Sequence, residues 1–192
     1  MDDTGLLELI NRSILWRGQI LHQISILELG INIYLANYFC GTDQEKTIDI
    51  QTLILGDERM NLGAKQQVFF AIASTKDAVW YNSYKSLRPA QPKKKNYTMN
   101  TDLVWAIEQR NVFAHRMLDA DSIRAFKKRE NGAVRFIRMK NEIEPIDYSE
   151  SDFKLLLGTI LHLAKHIYLR PGSTYSPSNS AGYVSSEPSR GE

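Results

Sequence analysis

The sequence of 192 residues contains one cysteine and lacks the short motifs of several common enzyme classes. Cys40 cannot form a disulfide within the chain, which is typical of proteins from a reducing compartment. The sequence has no glycine-rich phosphate loop, no Gly-Lys-Ser/Thr motif and no cysteine pairs with zinc-ligand spacing. These absences argue against a P-loop nucleotide hydrolase and against a cysteine-based zinc site.

Long hydrophobic runs are also absent, since no apolar stretch approaches the roughly 20 residues that a membrane-spanning helix needs. The acidic start Met1-Asp2-Asp3 differs from the basic-then-apolar order of a signal peptide. Apolar residues nevertheless make up 43% of the chain, which is enough for a packed core. The formal charge of +2 neither requires nor excludes nucleic acid. We therefore expect a cytoplasmic protein with no membrane partner.

The spacing of apolar residues predicts a mainly α-helical protein. Helices are expected over residues 14–39, 62–82 and 100–119, and a last helix, capped by Ser149 or Ser151, is expected to run to Tyr168. The short apolar stretch 48–55 does not indicate a definite structure. The inward-facing residues predicted for the first, second and last of these helices are Ile14, Leu21, Ile24, Leu27, Ile31, Leu35, Tyr38; Val68, Phe69, Ile72, Val79, Trp80; and Phe153, Leu156, Leu157, Ile160, Leu161, Ala164, Ile167.

A β-hairpin is predicted before the last helix. The dipeptide Asn131-Gly132 favours a tight turn, and the flanking stretches 122–128 and 133–140 have β character. Basic residues dominate this hairpin, and their charge either guides a phosphate backbone or protects a strand edge from pairing. The fold class is thus a bundle of four to five helices with a hairpin inserted before the last one. The basic residues are Arg124, Lys127, Lys128, Arg129, Arg135, Arg138 and Lys140.

Two regions differ in composition. Residues 1–169 are expected to form the helical domain, whereas residues 170–192 contain 13 Ser, Pro or Gly among 23 positions and are predicted to be disordered. A loop over 86–96 carries Lys93, Lys94 and Lys95, which either attract phosphate or solubilise the loop.

Two features away from the central helix allow alternative interpretations. Glu28 falls between apolar neighbours in the first helix, so its carboxylate is either a solvated flank, which we favour because buried unpaired carboxylates are rare, or the partner of a basic group on another helix. His162 and His166 have the i, i+4 spacing of a metal pair. No third ligand and no intervening glutamate accompany them, so a structural role is favoured over a metal site.

The segment 108–116, Glu-Gln-Arg-Asn-Val-Phe-Ala-His-Arg, has the clearest chemical character in the chain. On a helix, Asn111 and His115 share one face, and the long side chain of Arg110 can swing toward that face. A cation, an amide and an imidazole, which titrates near neutral pH, then lie on one stripe. The spacing of arginine and histidine also occurs at Arg17 and His22, so spacing alone is not specific.

Arg-Asn-Val-Phe-Ala-His, late in a helical bundle, resembles the Arg-polar-x-x-x-His motif of HEPN domains (higher eukaryotes and prokaryotes nucleotide-binding). The long first helix with Glu28 and the final apolar helix after a variable insert are also similar to that family, over about residues 6–169. The resemblance implies a metal-independent endoribonuclease whose two protomers form one shared site. It implies a homodimer with an RNA substrate, no cofactor, and a role as a toxin or defence effector with a possible antitoxin or other protein partner.

The resemblance assigns roles to particular residues. It makes Arg110, His115 and Asn111 the expected catalytic residues. Lys93, Lys94, Lys95 and Arg116 are expected to bind substrate because of their positive charge. Two alternatives remain open. One is a non-catalytic HEPN-like dimer that binds a nucleotide, nucleic acid or protein as a regulator. The other is a helical scaffold in which Arg110 and His115 are buried and bonded within one protomer.

Overall fold

The computed structural model describes residues 3–57, 59–90, 96–119, 133–139 and 143–171. Within these ranges it confirms a mainly α-helical bundle with a β-hairpin before the last helix. The tail that is predicted to be disordered lies outside the described residues from residue 172 onward. The elements are α1 (Asp3–Cys40), α2 (Gln44–Asp49), a π-helical segment (Ile50–Leu55), α3 (Leu62–Lys76), α4 (Ala78–Asn82), α5 (Met99–His115), β1 (Met117–Leu118), β2 (Val134–Met139), β3 (Ile143–Tyr148) and α6 (Glu150–Tyr168).

The long helix α1 forms the centre of the bundle and packs along α6, α5 and α3. Its buried positions recur every three or four residues, which is the period of one helix face. Trp16 stacks on Phe153 of α6 with 4.5 Å between the ring centroids. Each fully buried large apolar side chain stabilises the fold by about 1.5–3 kcal/mol, so this face contributes much of the core. The buried residues of α1 include Ile20, Ile24, Leu27, Ile31, Tyr34 and Leu35.

The predicted helix 62–82 is interrupted at Asp77, where the backbone leaves the helical region (φ −121°, ψ 35°). The Asp77 carboxylate accepts a hydrogen bond from the hydroxyl of Tyr34 at 2.5 Å and one from the guanidinium of Arg170 at 3.3 Å. These bonds join α1, the α3–α4 corner and the end of α6. The prediction of one continuous helix is wrong because these tertiary contacts outweigh local periodicity.

Four predictions of inward-facing residues are also wrong. Ile14 lies about 120° around α1 from Ile20, whereas the small buried Ser13 lies within about 20° of it and occupies the inner face. Val79 is 90% exposed because the break at Asp77 separates α4 from the periodicity of α3. The other two exposed residues are Tyr38 and Leu161.

Helix α5 ends at His115, four residues before the predicted end at Asp119. Arg116 adopts an extended conformation (φ −84°, ψ 145°), and its carbonyl accepts a hydrogen bond of 2.6 Å from the guanidinium of Arg17 in α1. The next two residues form β1 and pair with β2. Pairing with the sheet ends the helix, although the apolar pattern through Leu118 suits a longer one.

The strands form an antiparallel sheet in the order β1-β2-β3. Phe136 lies opposite Leu118 on one side and opposite Ile146 on the other. A two-residue turn at Asn131-Gly132 would place Phe136 opposite Lys127. The partners of β2 among the described residues are β1 and β3. The hairpin forms between β2 and β3, because β3 supplies apolar residues opposite those of β2. The predicted arm 122–128 and its turn lie outside the described residues.

The structure confirms that Ser149 caps the start of the last helix. The hydroxyl of Ser149 accepts a hydrogen bond from the backbone N–H of Asp152, and the carboxylate of Asp152 accepts one from the backbone N–H of Ser149. In the described part of the chain, none of the helices has the length and apolar character that a membrane crossing requires.

Candidate active site

Aromatic contacts fix the second half of α5 on the sheet. Phe113 is fully buried, and its ring lies 5.0 Å from that of Phe136 and 4.9 Å from that of Tyr148. The Tyr148 hydroxyl donates a hydrogen bond to the side-chain oxygen of Gln109 on α5. Burial raises the pKa of Tyr148 to about 12, so this hydroxyl keeps its proton at neutral pH. The inner face of α5 is thus held, and its polar stripe is left at the surface.

The polar stripe carries the three predicted catalytic residues. Arg110 is half-buried, whereas Asn111 and His115 are exposed. The guanidinium of Arg110 donates a hydrogen bond of 3.2 Å to the side-chain oxygen of Asn111. Within the described ranges, Arg110 makes no ion pair with a carboxylate. Its charge is therefore available to a ligand.

Arg110 and Asn111 line an open pocket of about 590 Å³. Its walls come from the middle of α1, the loop after the π-helical segment, the first turn of α3 and the second half of α5. A volume of this size is within the range of small-molecule sites, which is about 300–1,000 Å³. The other lining residues are Glu28, Gly56, Asp57, Met60, Asn61, Leu62, Gly63, Lys65 and Ile107.

Among the described residues, two carboxylates line this pocket, and each is paired with its own cation. Glu28 pairs with Lys65, and Asp57 accepts hydrogen bonds from the side chain and the backbone N–H of Arg59. The bonds from Arg59 lower the pKa of Asp57 below its usual range. The first turn of α3 adds the partial positive charge of a helix N-terminus. Because both carboxylates are neutralised, the unpaired charge of Arg110 favours an anion in the pocket.

The pairing of Glu28 corrects the interpretation that its carboxylate is a solvated flank. Glu28 on α1 accepts a hydrogen bond from the ammonium group of Lys65 on α3, whose side chain is only 5% exposed. The structure therefore shows the other interpretation, in which the Glu28 carboxylate is the partner of a basic group on another helix. Sequence analysis did not single out Lys65 or Asp57 as site residues. The available signal was a lysine one turn into a helix that is otherwise largely apolar.

His115 is the last residue of α5, one turn beyond Asn111, and it does not line the pocket. Four helical residues advance the axis by about 6 Å, which separates the imidazole from the Arg110 side of the stripe. Among the described residues it makes no hydrogen bond or ion pair with another side chain. The scaffold hypothesis expected Arg110 and His115 to be largely buried, and neither is.

Arg116 is the one described residue among those expected to bind substrate, and it does not line the pocket. Arg116 donates a hydrogen bond to the carbonyl of Glu144 at 3.0 Å and has that residue's carboxylate 3.7 Å away, so it fastens the end of α5 to β3. Lys93, Lys94 and Lys95 lie outside the described residues. In the basic hairpin, Arg135 pairs with Asp147 at 2.6 Å, which neutralises one of its cations.

His162 and His166 contact backbone carbonyls. The ring nitrogen Nε2 of His162 lies 2.8 Å from the carbonyl oxygen of Lys85, and that of His166 lies 3.3 Å from the carbonyl oxygen of Trp80. In the described residues, no three His, Cys, Asp or Glu side chains converge as metal ligands. The two histidines join α6 to the segment around α4.

No protein-family model matches this chain, and neither does any curated protein or solved structure. The function of the pocket is therefore argued from its residues. A cation without a carboxylate partner, an adjacent amide and an exposed imidazole one turn away together favour a phosphate ligand over a neutral one.

Proposed function

We propose that this chain is a metal-independent endoribonuclease of the HEPN type, acting in the cytoplasm as a toxin or defence effector. The observation that carries the proposal is the open pocket in which Arg110, unpaired with any described carboxylate, lies beside Asn111. RNA contains its own nucleophile, the 2′-hydroxyl, next to each phosphate. The protein therefore needs only to position the strand, to move protons and to stabilise negative charge.

Each motif residue has a role in this reaction. The 2′-oxygen attacks the adjacent phosphorus while the bond from phosphorus to the 5′-oxygen breaks, which leaves a 2′,3′-cyclic phosphate and a 5′-hydroxyl. His115 removes the proton from the 2′-hydroxyl or supplies one to the departing 5′-oxygen. Arg110 donates hydrogen bonds to the phosphoryl oxygens as negative charge accumulates. Asn111 orients the guanidinium through the bond between their side chains.

The position of His115 supports a site shared by two protomers. Its imidazole is exposed and lies outside the pocket of Arg110 in its own chain. In a homodimer, His115 of one protomer can approach Arg110 of the other. A mixture of Arg110→Ala and His115→Ala proteins would then contain heterodimers with one intact shared site. We expect this mixture to regain cleavage that neither variant has alone; no recovery in a confirmed heterodimer would contradict the shared site.

The direct test uses labelled mixed-sequence RNA in excess EDTA. We expect the wild-type protein to cleave it and to leave 2′,3′-cyclic phosphate ends, whereas His115→Ala leaves it intact. Circular dichroism of the variant provides the control for folding. Cleavage by His115→Ala at the wild-type rate would overturn the assignment, and so would products with 5′-phosphate ends.

A second candidate function is a non-catalytic dimeric module that binds a nucleotide, nucleic acid or protein partner such as an antitoxin. The observation that favours it is the separation of His115 from the pocket, because a binding site needs the cation and the amide but no proton-transfer group. In that case RNA would survive long incubation with the wild-type protein. Ligand affinity would fall in Arg110→Ala and would be unchanged in His115→Ala.

A further inference from the structure

A second pocket, of about 710 Å³, lies at the N-terminal end of α5. It is bordered by the second half of α3, by α4 and by the segments on either side of the loop that precedes α5. Lys85 and Arg88 are among its lining residues, and no acidic residue lines it in the described part of the chain. Its charge therefore has the same sign as that of the Arg110 pocket.

The two pockets open along the same face of α5. Asn100 lines the second pocket and Asn111 lines the first, and a separation of 11 positions makes just over three turns, so their directions differ by about 20°. Asn100 precedes Arg110 by ten residues, which corresponds to about 15 Å along the axis. Helix α3 borders both pockets, through Phe70 in the second and Lys65 in the first. One extended strand can therefore reach both.

Arg88 is held in a fixed position at the second pocket. Its guanidinium lies 3.8 Å from the ring centroid of Tyr97 and 4.3 Å from that of Trp105. It also lies 3.4 Å from the carboxylate of Asp102, which is fully buried and accepts a hydrogen bond from the Tyr84 hydroxyl at 2.8 Å. The two rings contact the guanidinium and Nη1 donates a hydrogen bond to Asp102, whereas the other guanidinium nitrogens have no hydrogen-bond partner among the described residues. An arginine that is fixed in this way beside a pocket can donate its remaining N–H groups to a phosphate.

Tyr81 brings an unused hydroxyl to the same pocket. The residue is only 5% exposed, and its hydroxyl makes no hydrogen bond of normal geometry in the described part of the chain. The backbone N–H of Asn100 is close enough to oppose the effect of burial, which raises the pKa of Tyr81 to about 12. That neighbour is itself a donor, so the hydroxyl hydrogen has no acceptor. Most buried polar groups are bonded, so an unbonded hydroxyl on a pocket-lining residue favours a ligand acceptor. The hydroxyl oxygen is itself buried, so the acceptor reaches it only after the lining around Tyr81 has moved.

Aromatic and amide groups complete the pocket. The ring of Phe70 is 40% exposed and lies 6.0 Å from that of Tyr81, which gives an apolar wall. Asn82 and Asn96 add amide donors and acceptors near Lys85. This lining matches a ligand that has a flat ring for stacking, hydrogen-bonding groups on the edge of the ring and an attached anionic group. A nucleotide has those three properties.

We propose that this second pocket is a base subsite for the same RNA strand whose phosphate is cleaved at Arg110. The inference rests on the proposed function for the substrate, but its binding test does not need cleavage. The base stacks on Phe70, and its acceptor takes the hydrogen of the Tyr81 hydroxyl once the lining around Tyr81 has moved. The attached phosphate lies beside Lys85 and the free edge of Arg88. The strand then follows the face of α5 toward Arg110.

The test measures binding of a short, labelled 2′-O-methyl RNA, in which the nucleophile is blocked and the strand stays whole. We expect Phe70→Ala to weaken binding about tenfold, because one stacked base is lost. Tyr81→Phe removes only the hydroxyl and should weaken binding about threefold to tenfold. Phe39→Ala, which also removes an exposed ring but on α1, is the matched control and should change the affinity less than about twofold.

The thermal stability of Tyr81→Phe separates a binding role from a structural one. Removing a buried hydroxyl without an acceptor should keep or raise the melting temperature, so a loss of affinity cannot come from unfolding. A lowered melting temperature would show that the hydroxyl is bonded within the fold, which would overturn the argument. A free ribonucleoside monophosphate should also bind, more weakly, and Phe70→Ala should weaken that binding as well.

Three outcomes distinguish this inference from the proposed function. If affinity depends on Arg110 but is the same in wild type, Phe70→Ala and Tyr81→Phe, the subsite is wrong and the endoribonuclease proposal stands. If affinity depends on Phe70 and Tyr81 but unmodified RNA is never cleaved, the subsite stands and the enzyme is wrong. If the wild-type protein does not bind the 2′-O-methyl RNA at all, the subsite is wrong.

Discussion

Two arginines of this chain are each followed five positions later by a histidine, and their surroundings differ. Arg17 in α1 has its guanidinium 4.8 Å from the ring centroid of Phe136 and donates a hydrogen bond to the carbonyl of Arg116. Arg110 in α5 borders an open pocket and bonds to its neighbour Asn111. The same spacing therefore produces a structural cation in one helix and an available cation in the other. Contacts, rather than spacing, separate the two.

The two regions are also connected. Burial lowers the pKa of Arg17 below its ordinary value, and the ring and the carbonyl compensate for the lost hydration of its charge. The carbonyl that it holds belongs to the residue directly after His115. Arg17 thus fixes the point where α5 ends and where the imidazole is presented. Arg17 therefore supports the position of His115, which we propose to be catalytic together with Arg110.

The largest expected effect contrasts the two histidines. His115→Ala should lower the rate of RNA cleavage by about a hundredfold to ten-thousandfold, because it removes a proton-transfer group. His22→Ala is the matched control, since His22 is also exposed on a helix and also follows an arginine by five residues. Initial rates on one labelled RNA measure both. Equal losses of cleavage rate in the two variants would mean that His115 has no specific role in cleavage.

The next prediction contrasts the two arginines by activity and stability. Arg110→Ala should lower cleavage about a hundredfold or more through lost charge stabilisation, with a change in the free energy of unfolding within about 0.5 kcal/mol. Arg17→Ala should lower the free energy of unfolding by about 1.5–3 kcal/mol, because it removes a charged hydrogen bond in a part-buried place. Urea titration and cleavage rates measure the two quantities. A large loss of stability in Arg110→Ala would make its role structural.

A third prediction concerns the ion pair in the Arg110 pocket. Glu28→Ala leaves the buried ammonium group of Lys65 without its carboxylate, which should cost about 1–3 kcal/mol of stability. Lys65→Met leaves Glu28, whose side chain is about a third exposed (32%) and can be hydrated, so the cost should be smaller. Urea titration of both variants measures this order. The reverse order would show that Lys65, rather than Glu28, is the better solvated partner.

Much of the helical architecture could be predicted because its cause is local. The apolar periodicity of α1 and α6 and the cap at Ser149 are properties of neighbouring residues. The break at Asp77 and the end of α5 at His115 depend on partners that are distant in sequence, Tyr34 and Arg17. The pairing of β2 with β3 likewise depends on which strand fits its apolar face, and the Asn131-Gly132 signal does not contain that information.

The candidate site could likewise be predicted only in the part that depends on local sequence. Arg110, Asn111 and His115 lie within one helical stripe, so their order along α5 followed from the sequence. The wall of the pocket did not, because Lys65 and Asp57 reach it from other segments. The tertiary packing of α1 against α3 gives Glu28 its partner, and a single sequence does not specify which helix pair will bring the two together.

The fourth histidine, His166, should make the stability of the protein depend on pH, whereas His115 is the histidine that we propose to act in cleavage. Burial lowers the pKa of His166, the carbonyl of Trp80 partly opposes this effect, and the nearby His162 adds to it. The ring also stacks on Trp80 at 5.2 Å and meets the edge of Tyr84 at 5.3 Å. Because the folded pKa is below the unfolded value, the unfolded chain binds the proton more readily. Stability is then fully present above about pH 7 and decreases as pH falls through the ordinary range of imidazole, about 6.5.

The smallest expected effect therefore follows from substitution of this half-buried ring. The melting temperature of the wild-type protein should fall between about pH 7.5 and pH 5, and the fall should be shallower in His166→Gln, which cannot titrate there. His115→Ala should keep the wild-type slope, because that ring is exposed, while it abolishes cleavage at every pH. Circular dichroism melting at a series of pH values measures the slopes. An unchanged slope in His166→Gln would assign the pH dependence to other groups, and a flattened slope in His115→Ala would mean that the exposed histidine is coupled to folding.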